Sequence, residues 1–368
     1  MNIGLCGFGV VGRGVYEIVR QRPDMKVKKI LCLEDIQLPD AQTVKDFSEI
    51  LNDPEIDTVV EAMGGLHPSY DFAHAALEAG KNVVSSNKAM VCTFYDELIP
   101  LAMHKGVSLR CTAAVGGGIG WLSELERARR VQTINQVGGI MNGTCNYILD
   151  NMTRLGLGYD EALKQAQKLG YAEANPATDV DGIDTWHKVI LSANVAFGIS
   201  LDKTTVPVSG IRNISAADVD CFKAHGKVCK LISTAKRTED GFSAYVQPTL
   251  VDAGSPEGAV PLNYNLITFI GQTSERMSFY GQGAGRYPTA YNVVQDLVDV
   301  TQGKSFYAPY GAPQAADNQE AHRYYVRGDW EGSIQEDWST GVITAPVPVS
   351  QMHQWVKDHP DAFIAGVD

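Results

Sequence analysis

Asp184 and Lys188 are the pair in this sequence whose types and spacing point most directly to chemistry. From Val180 to Phe197 apolar residues recur with helical spacing, so the carboxylate and the ammonium fall one turn apart on one face. That face continues as Leu191 and Val195 and therefore points into protein. On a solvated surface such a pair would be worth only about 0.3–0.5 kcal/mol. Two charges on a core-facing stripe need a further reason to be there, because such side chains are rarely buried without one.

Other reactive types are spread along the chain. Lys88, in Ser85-Ser86-Asn87-Lys88-Ala89, follows an extended run at its carboxyl end, where ligands collect in open α/β sheets; read alone it is as readily a solvent-facing lysine. Glu173 lies in a loop between Gly170 and Pro176, where an acid is usually just solvated. Val115-Gly116-Gly117-Gly118-Ile119 either leaves backbone carbonyls free for a cation or is a plain glycine-rich crossover. Cys145 reads as structural, since nothing pairs it with a histidine base.

The elements that must position these groups begin at once. Asn2 to Cys6 is a short apolar run, Gly7-Phe8-Gly9-Val10-Val11-Gly12 follows, and a helix runs through Val15, Ile18 and Val19 until Pro23. A second strand spans Val27 to Leu33. The glycines thus sit between strand and helix of a βαβ unit, where they let the backbone approach a pyrophosphate at a helix N-terminus. Glu34, 22 residues past Gly12 and at the end of the second strand, can hold ribose hydroxyls. The alternation continues with a strand at Asp57 to Glu61, a helix at Tyr70 to Glu78 and a strand at Asn82 to Val84. A helix ending near His104 comes next, in which Pro100 is tolerated only in the first turn, and then an extended Val107 to Cys111. Strands alternating with helices imply a parallel sheet.

Composition narrows the class. At 368 residues, with 44% hydrophobic and 20% charged side chains, two domains with real cores are expected. A net charge of −12 and a pI near 5.1 argue against nucleic acid or an anionic membrane as partner. No apolar run approaches the roughly 18 residues that span a bilayer. The strand pattern starting at Asn2 leaves no room for a signal peptide. Seven scattered cysteines without a CxxC pair suit a reducing cytoplasm.

Five blocks together resemble the homoserine dehydrogenase family, in that family's order: Ser85 to Ala89, Ala114 to Gly118, Gly139 to Leu149, Leu169 through Asp184 to Lys188, and Phe279 to Gly285. The resemblance covers roughly residues 1 to 305 and departs from the family pattern at Thr112, Gly120 and Cys145. It implies an oxidoreductase that interconverts L-aspartate 4-semialdehyde and L-homoserine with NAD or NADP, within threonine and methionine biosynthesis. Lys188 is then the proton donor and acceptor, Asp184 orients it and binds substrate, and Lys88 is a second cation near the substrate. Glu173 takes the substrate ammonium, with Asp179 beside it. The cofactor falls to Gly7, Phe8, Gly9, Val10, Val11, Gly12, Glu34, Gly64, Lys88 and Gly285. A sodium site from the backbone of Thr112, Val115, Gly117 and Ile119 is also implied, as is a homodimer.

The expected architecture is α/β. A Rossmann domain of residues 1–128 regains a segment at about 286–310 and is followed by an α+β substrate and dimerisation domain with a mixed sheet, residues 129–285. The catalytic cleft is expected between them. The tail, residues 317–368, resembles an amino-acid-sensing ACT module missing a helix and a strand, because Asp329 to Thr340 is too short and polar for both. NAD is expected to serve at least as well as NADP: Glu34 repels a 2′-phosphate and Leu33 stands where NADP-favouring relatives often carry arginine, although Lys28 and Lys29 are near. The alternatives are another amino-acid-linked oxidoreductase on this scaffold, or a silent nicotinamide-binding sensor. Lys88, Glu173, Asp184 and Lys188 occurring together argue against the sensor.

Overall fold

Short runs of Val, Ile and Leu separated by helices build a parallel sheet in the N-terminal part of the chain. The computed structural model describes residues 1–304 and 313–367. Its strands β1 (Asn2–Cys6), β2 (Lys26–Leu31), β3 (Gln42–Val44), β4 (Thr58–Glu61), β5 (Asn82–Ser85) and β6 (Leu109–Arg110) pair in the order β3-β2-β1-β4-β5-β6. That is the doubly wound dinucleotide-binding order. The pairings between neighbours in this sheet are all parallel. The intervening helices include α1 (Val10–Val19), α2 (Ser69–Glu78), α3 (Lys88–Thr93), α4 (Tyr95–Lys105) and α5 (Trp121–Ala128).

The chain divides into two compact units. The first comprises Met1–Val131, Asn194–Ser200 and a segment from Gln282; the second comprises Gln132–Ala193, Leu201–Gly281 and the chain from Pro313. In the first unit the long helix Arg286–Thr301 packs on α1. A Cβ at Gly14 would stand 2.9 Å from that of Ala290, so glycine there sets how closely the two helices meet. Ala290, Val293, Val294 and Leu297 share a core with Leu5, Val15, Val19 and Ile30. Residues 305–310 of the expected return segment lie outside the described residues.

The second unit is built on a mixed sheet of β7 (Ile134–Ile140), β8 (Lys227–Arg237), β9 (Phe242–Asp252), β10 (Tyr264–Gly271) and β11 (Glu275–Gln282). Tail strands β12 (Ala321–Arg327), β13 (Ile334–Asp337), β14 (Val342–Thr344), β15 (Val347–Pro348) and β16 (Phe363–Val367) extend it. The order is β11-β10-β7-β8-β9-β16-β12-β14-β13, with β15 on β12. The junction is parallel, Thr249 opposite Gly366, amid antiparallel neighbours.

Four expectations are corrected. The second strand ends at Leu31, and Leu33 is 93% exposed, so Glu34 stands in the following loop rather than on the strand. Pro100 falls in the second turn of α4, which starts at Tyr95, so its missing N–H costs the helix a hydrogen bond. The helix expected from Val180 is interrupted: a short turn Ala177–Val180 stops at Gly182, whose φ is +85°, and the long helix starts at Ile183. The connection Asp329 to Thr340 contains β13, whose residues are all exposed; an edge strand paired only to β14 needs no apolar face, and its polar sequence concealed it.

Candidate active site

In the first unit the glycine turn has the geometry a pyrophosphate requires. Gly7 has φ +93°, and a Cβ there would lie 2.7 Å from the Ala62 carbonyl. A Cβ at Gly12 would lie 2.1 Å from the Gly7 carbonyl. At Gly9 a Cβ would meet nothing, so the space beside the N-terminus of α1 is open to a ligand. That helix has no side-chain cap and no acid in its first turn, which leaves its first N–H groups for an anion. The residues present therefore fit a dinucleotide.

Glu34 is 73% exposed and pairs with Arg13 Nη2 at 3.1 Å. Lys28 and Lys29 are held elsewhere, on Asp53, Glu55 and the Glu49 carbonyl. Gly64, φ +107°, follows β4, and its turn is organised by fully buried Glu61. One Glu61 oxygen accepts from Met63 N at 2.9 Å and the other from Ser85 Oγ at 2.6 Å. Ser85 Oγ in turn accepts from Asn87 N, while Asn87 donates to the Gly65 carbonyl and caps α3 through Met90 N. Lys88, half-buried, is the first residue of α3 and is placed by that cap.

The turn Thr112 to Ile119 lies above a buried ionic cluster. Asp296 takes Arg110 Nε at 3.0 Å, Thr112 N at 2.7 Å and Thr112 Oγ1 at 2.7 Å. The Thr112 hydroxyl is thereby turned to Asp296. The Gly117 carbonyl accepts from Asn292 Nδ2 at 2.6 Å. Gly285, φ +122°, precedes the helix Arg286–Thr301. Among the described residues no His, Cys, Asp and Glu group is arranged to hold a metal.

The helix Ile183–Phe197, which belongs to the second unit as far as Ala193, presents Asp184 in its first turn and Lys188 a turn later. Both side chains are more than nine-tenths buried, and Lys188 Nζ stands 2.7 Å from Asp184 Oδ2. Leu191 and Val195 are buried along the same helix, as their spacing required. Lys188 also donates to the Met141 carbonyl at 2.7 Å. Asn142 donates through Nδ2 to Asp184 at 2.8 Å and to Asp179 at 2.7 Å, while its Oδ1 caps the helix Gly143–Leu155 on Cys145 N. The structure thus brings Asp179, Asp184 and Lys188 together through a residue that sequence reasoning did not single out. The signal was an Asn at the N-cap position of a helix. Glu173 is exposed in its loop, with its carbonyl anchored by Gln167 at 3.0 Å. Burial, and then the carboxylates of Asp179 and Asp184, push the Cys145 thiol well above its ordinary pKa, so it is no nucleophile.

The open glycine turn at the end of β1 suits a dinucleotide, and the buried lysine–aspartate pair of the second unit is of a type that can move a proton, so the chain carries the parts a nicotinamide-dependent oxidoreductase needs. Residues 7–112 match the family model described as the homoserine dehydrogenase NAD-binding domain, and residues 121–298 match that of homoserine dehydrogenase. The homoserine dehydrogenase of Bacillus subtilis is 34% identical over 330 residues, 84% of this chain and 76% of that one. That of Pseudomonas aeruginosa is 36% identical over 314 residues, 82% and 72%. A crystal structure of the Thiobacillus denitrificans enzyme superposes with a TM-score of 0.89 at 28% identity, covering 100% of this chain and 98% of that one. The chain belongs to the homoserine dehydrogenase family. It is an oxidoreductase that interconverts L-aspartate 4-semialdehyde and L-homoserine with a nicotinamide cofactor.

Proposed function

We propose that Lys188 is the proton donor and acceptor of this reaction, and one observation carries the reading: its buried 2.7 Å contact with Asp184, which leaves the lysine side chain 9% exposed. The nicotinamide supplies or takes the hydride when bound. As the aldehyde oxygen gains charge, the Lys188 ammonium gives it a proton; in the reverse direction the amine takes the hydroxyl proton. Asp184 and the Met141 carbonyl fix where the ammonium points, so little reorganisation is left for the reaction. Asp179 and Glu173 are the anions for the substrate ammonium, and Lys88 is the cation for its oxygen or carboxylate. The turnover of Lys188→Ala tests the assignment.

On the cofactor side, Gly7 to Gly12, Gly64 and Gly285 line the dinucleotide and Glu34 takes ribose hydroxyls, so NAD is used at least as well as NADP. The commitment of Lys28 and Lys29 to Asp53 and its neighbours supports this. Sodium fits less well. Of the four carbonyls, those of Gly117 and Thr112 already accept hydrogen bonds from Asn292 and Val115, so a sodium would share each oxygen's second lone pair.

The nucleotide domain is read as residues 1–128 with its return segment, and the substrate domain as residues 129–285. The homodimer is read on the sheet of the second unit. Along β8, Leu231, Ser233 and Ala235 are buried while Ile232, Thr234 and Lys236 are half-exposed, and half-exposed Gln136 and Ile270 lie in register beside them. A cytoplasmic setting is supported by seven free cysteines. No helix among the described residues is long and apolar enough to cross a membrane.

A further inference from the structure

Arg13 pairs with Glu34, the residue read above as the acid for the cofactor's ribose hydroxyls. It lies in the first turns of α1, one residue beyond Gly12, and its guanidinium sits 4.8 Å from the centre of the Phe8 ring. Its Nη2 reaches Glu34 Oε2 at 3.1 Å. The loop bearing Glu34 is held independently of that contact. Cys32 Sγ donates to the Glu34 carbonyl at 3.2 Å, and Lys45 Nζ donates to the Leu33 carbonyl at 2.7 Å while pairing with Asp35 at 2.8 Å. The Glu34 carboxylate can therefore exchange partners without moving its backbone.

The pair itself is exposed, 41% and 73% for the two side chains. Such pairs hold weakly, because water solvates each partner nearly as well. A phosphate dianion offers a guanidinium two parallel charge-assisted hydrogen bonds, which a single carboxylate oxygen does not. The cation for a phosphate is thus present although Leu33 supplies none and Lys28 and Lys29 are committed to Asp53.

We propose that Arg13 is a specificity-determining residue: its guanidinium is this chain's seat for a ribose 2′-phosphate, released from Glu34 when NADP binds and kept on Glu34 when NAD binds. The proposal deepens the reading of Glu34 as the ribose acid and rests on it. NADP then loses the Arg13–Glu34 contact and meets the Glu34 charge, so NAD keeps the advantage, yet NADP is not shut out.

The experiment titrates the full chain with NADH and with NADPH, following nicotinamide fluorescence, for wild type, Arg13→Gln, Arg13→Lys, Glu34→Gln and the double variant Arg13→Gln/Glu34→Gln. Arg13→Gln should lower NADPH affinity about tenfold more than NADH affinity, the worth of one lost bond between charged groups. Arg13→Lys should recover part of that loss. Glu34→Gln should shift preference towards NADPH, and in the double variant the gain in NADPH affinity should be smaller by the Arg13 contribution. Equal weakening of both cofactors by Arg13→Gln, or a Glu34→Gln gain in NADPH affinity undiminished by loss of Arg13, would overturn the proposal. The underlying reading of Glu34 is judged separately, from whether Glu34→Gln weakens NADH.

Discussion

Asn142 Nδ2 donates to Asp184 Oδ2 at 2.8 Å, onto the same oxygen that Lys188 Nζ meets at 2.7 Å. One carboxylate oxygen thus takes an amide and an ammonium, and the amide's other hydrogen goes to Asp179. Burying an ion pair is seldom a net gain in stability, because desolvation offsets the attraction. Its presence is better explained by what it does to the lysine: the ammonium is fixed at a single place by groups that are themselves fixed.

Asn142→Ala should show how much of that fixation the amide supplies. It removes two hydrogen bonds to carboxylates and the cap on Cys145 N. The expected loss is about 2–4 kcal/mol of folding stability, read as a lower midpoint in urea, together with a fall in kcat larger than any rise in KM. A variant as stable as wild type, or one changed only in KM, would show that Asn142 does not position the pair.

Much of this was legible in the sequence, and the failures have physical causes. Strands buried on both faces read as apolar runs, so β1, β4 and β5 were recognisable from composition. Helical spacing put Asp184 and Lys188 on an inward face with Leu191 and Val195. What sequence could not give was partnership across long separations. Glu61 and Ser85 sit on different strands, and Asn142 precedes Asp184 by the helices Gly143–Leu155 and Tyr159–Lys168 and the short turn Ala177–Val180, so nothing local marks their contacts. Edge strands such as β3 and β13 were missed or misread because pairing on one side demands no apolar pattern. Arg13 was passed over because a cation one residue after a glycine turn looks like any solvated helix side chain.

His353, on the tail helix Val349–Asp358, is 3% exposed. Its Nε2 faces Gln247 Oε1 as donor and its Nδ1 faces the Ser209 hydroxyl, each at 3.1 Å, partners that satisfy the neutral ring. Burial, with the nearby Lys357 charge adding to it, pushes its pKa down from 6.5 to about 3. The unfolded chain takes up this proton below about pH 6.5 and the folded chain does not, so stability is complete above 6.5 and is lost as pH falls towards 3. At pH 4.5 the cost should be about 2–3 kcal/mol relative to pH 7.5. Calorimetry at the two pH values should show His353→Gln losing that much less than wild type; equal losses would refute the assignment.

Threonine should have little effect on turnover. Residues 328–333 join β12 to β13 without a helix, and β16 commits the tail sheet to β9 of the second unit. Feedback needs an element with two arrangements that the effector distinguishes, and a sheet continuous with the core is a poor one. Initial rates with millimolar threonine should match those without it. A sub-millimolar half-point for inhibition, abolished by deleting residues 317–368, would contradict this.

The most direct measurement is the turnover of Lys188→Ala with homoserine at neutral pH, normalised to the sites that bind NADH, since removing one member of a buried pair also lowers stability. Loss of a positioned proton donor should reduce kcat by roughly 10²–10⁴ while NADH binding persists. A variant that keeps more than about a third of wild-type kcat, far above that range, would contradict the assignment of Lys188 as the acid.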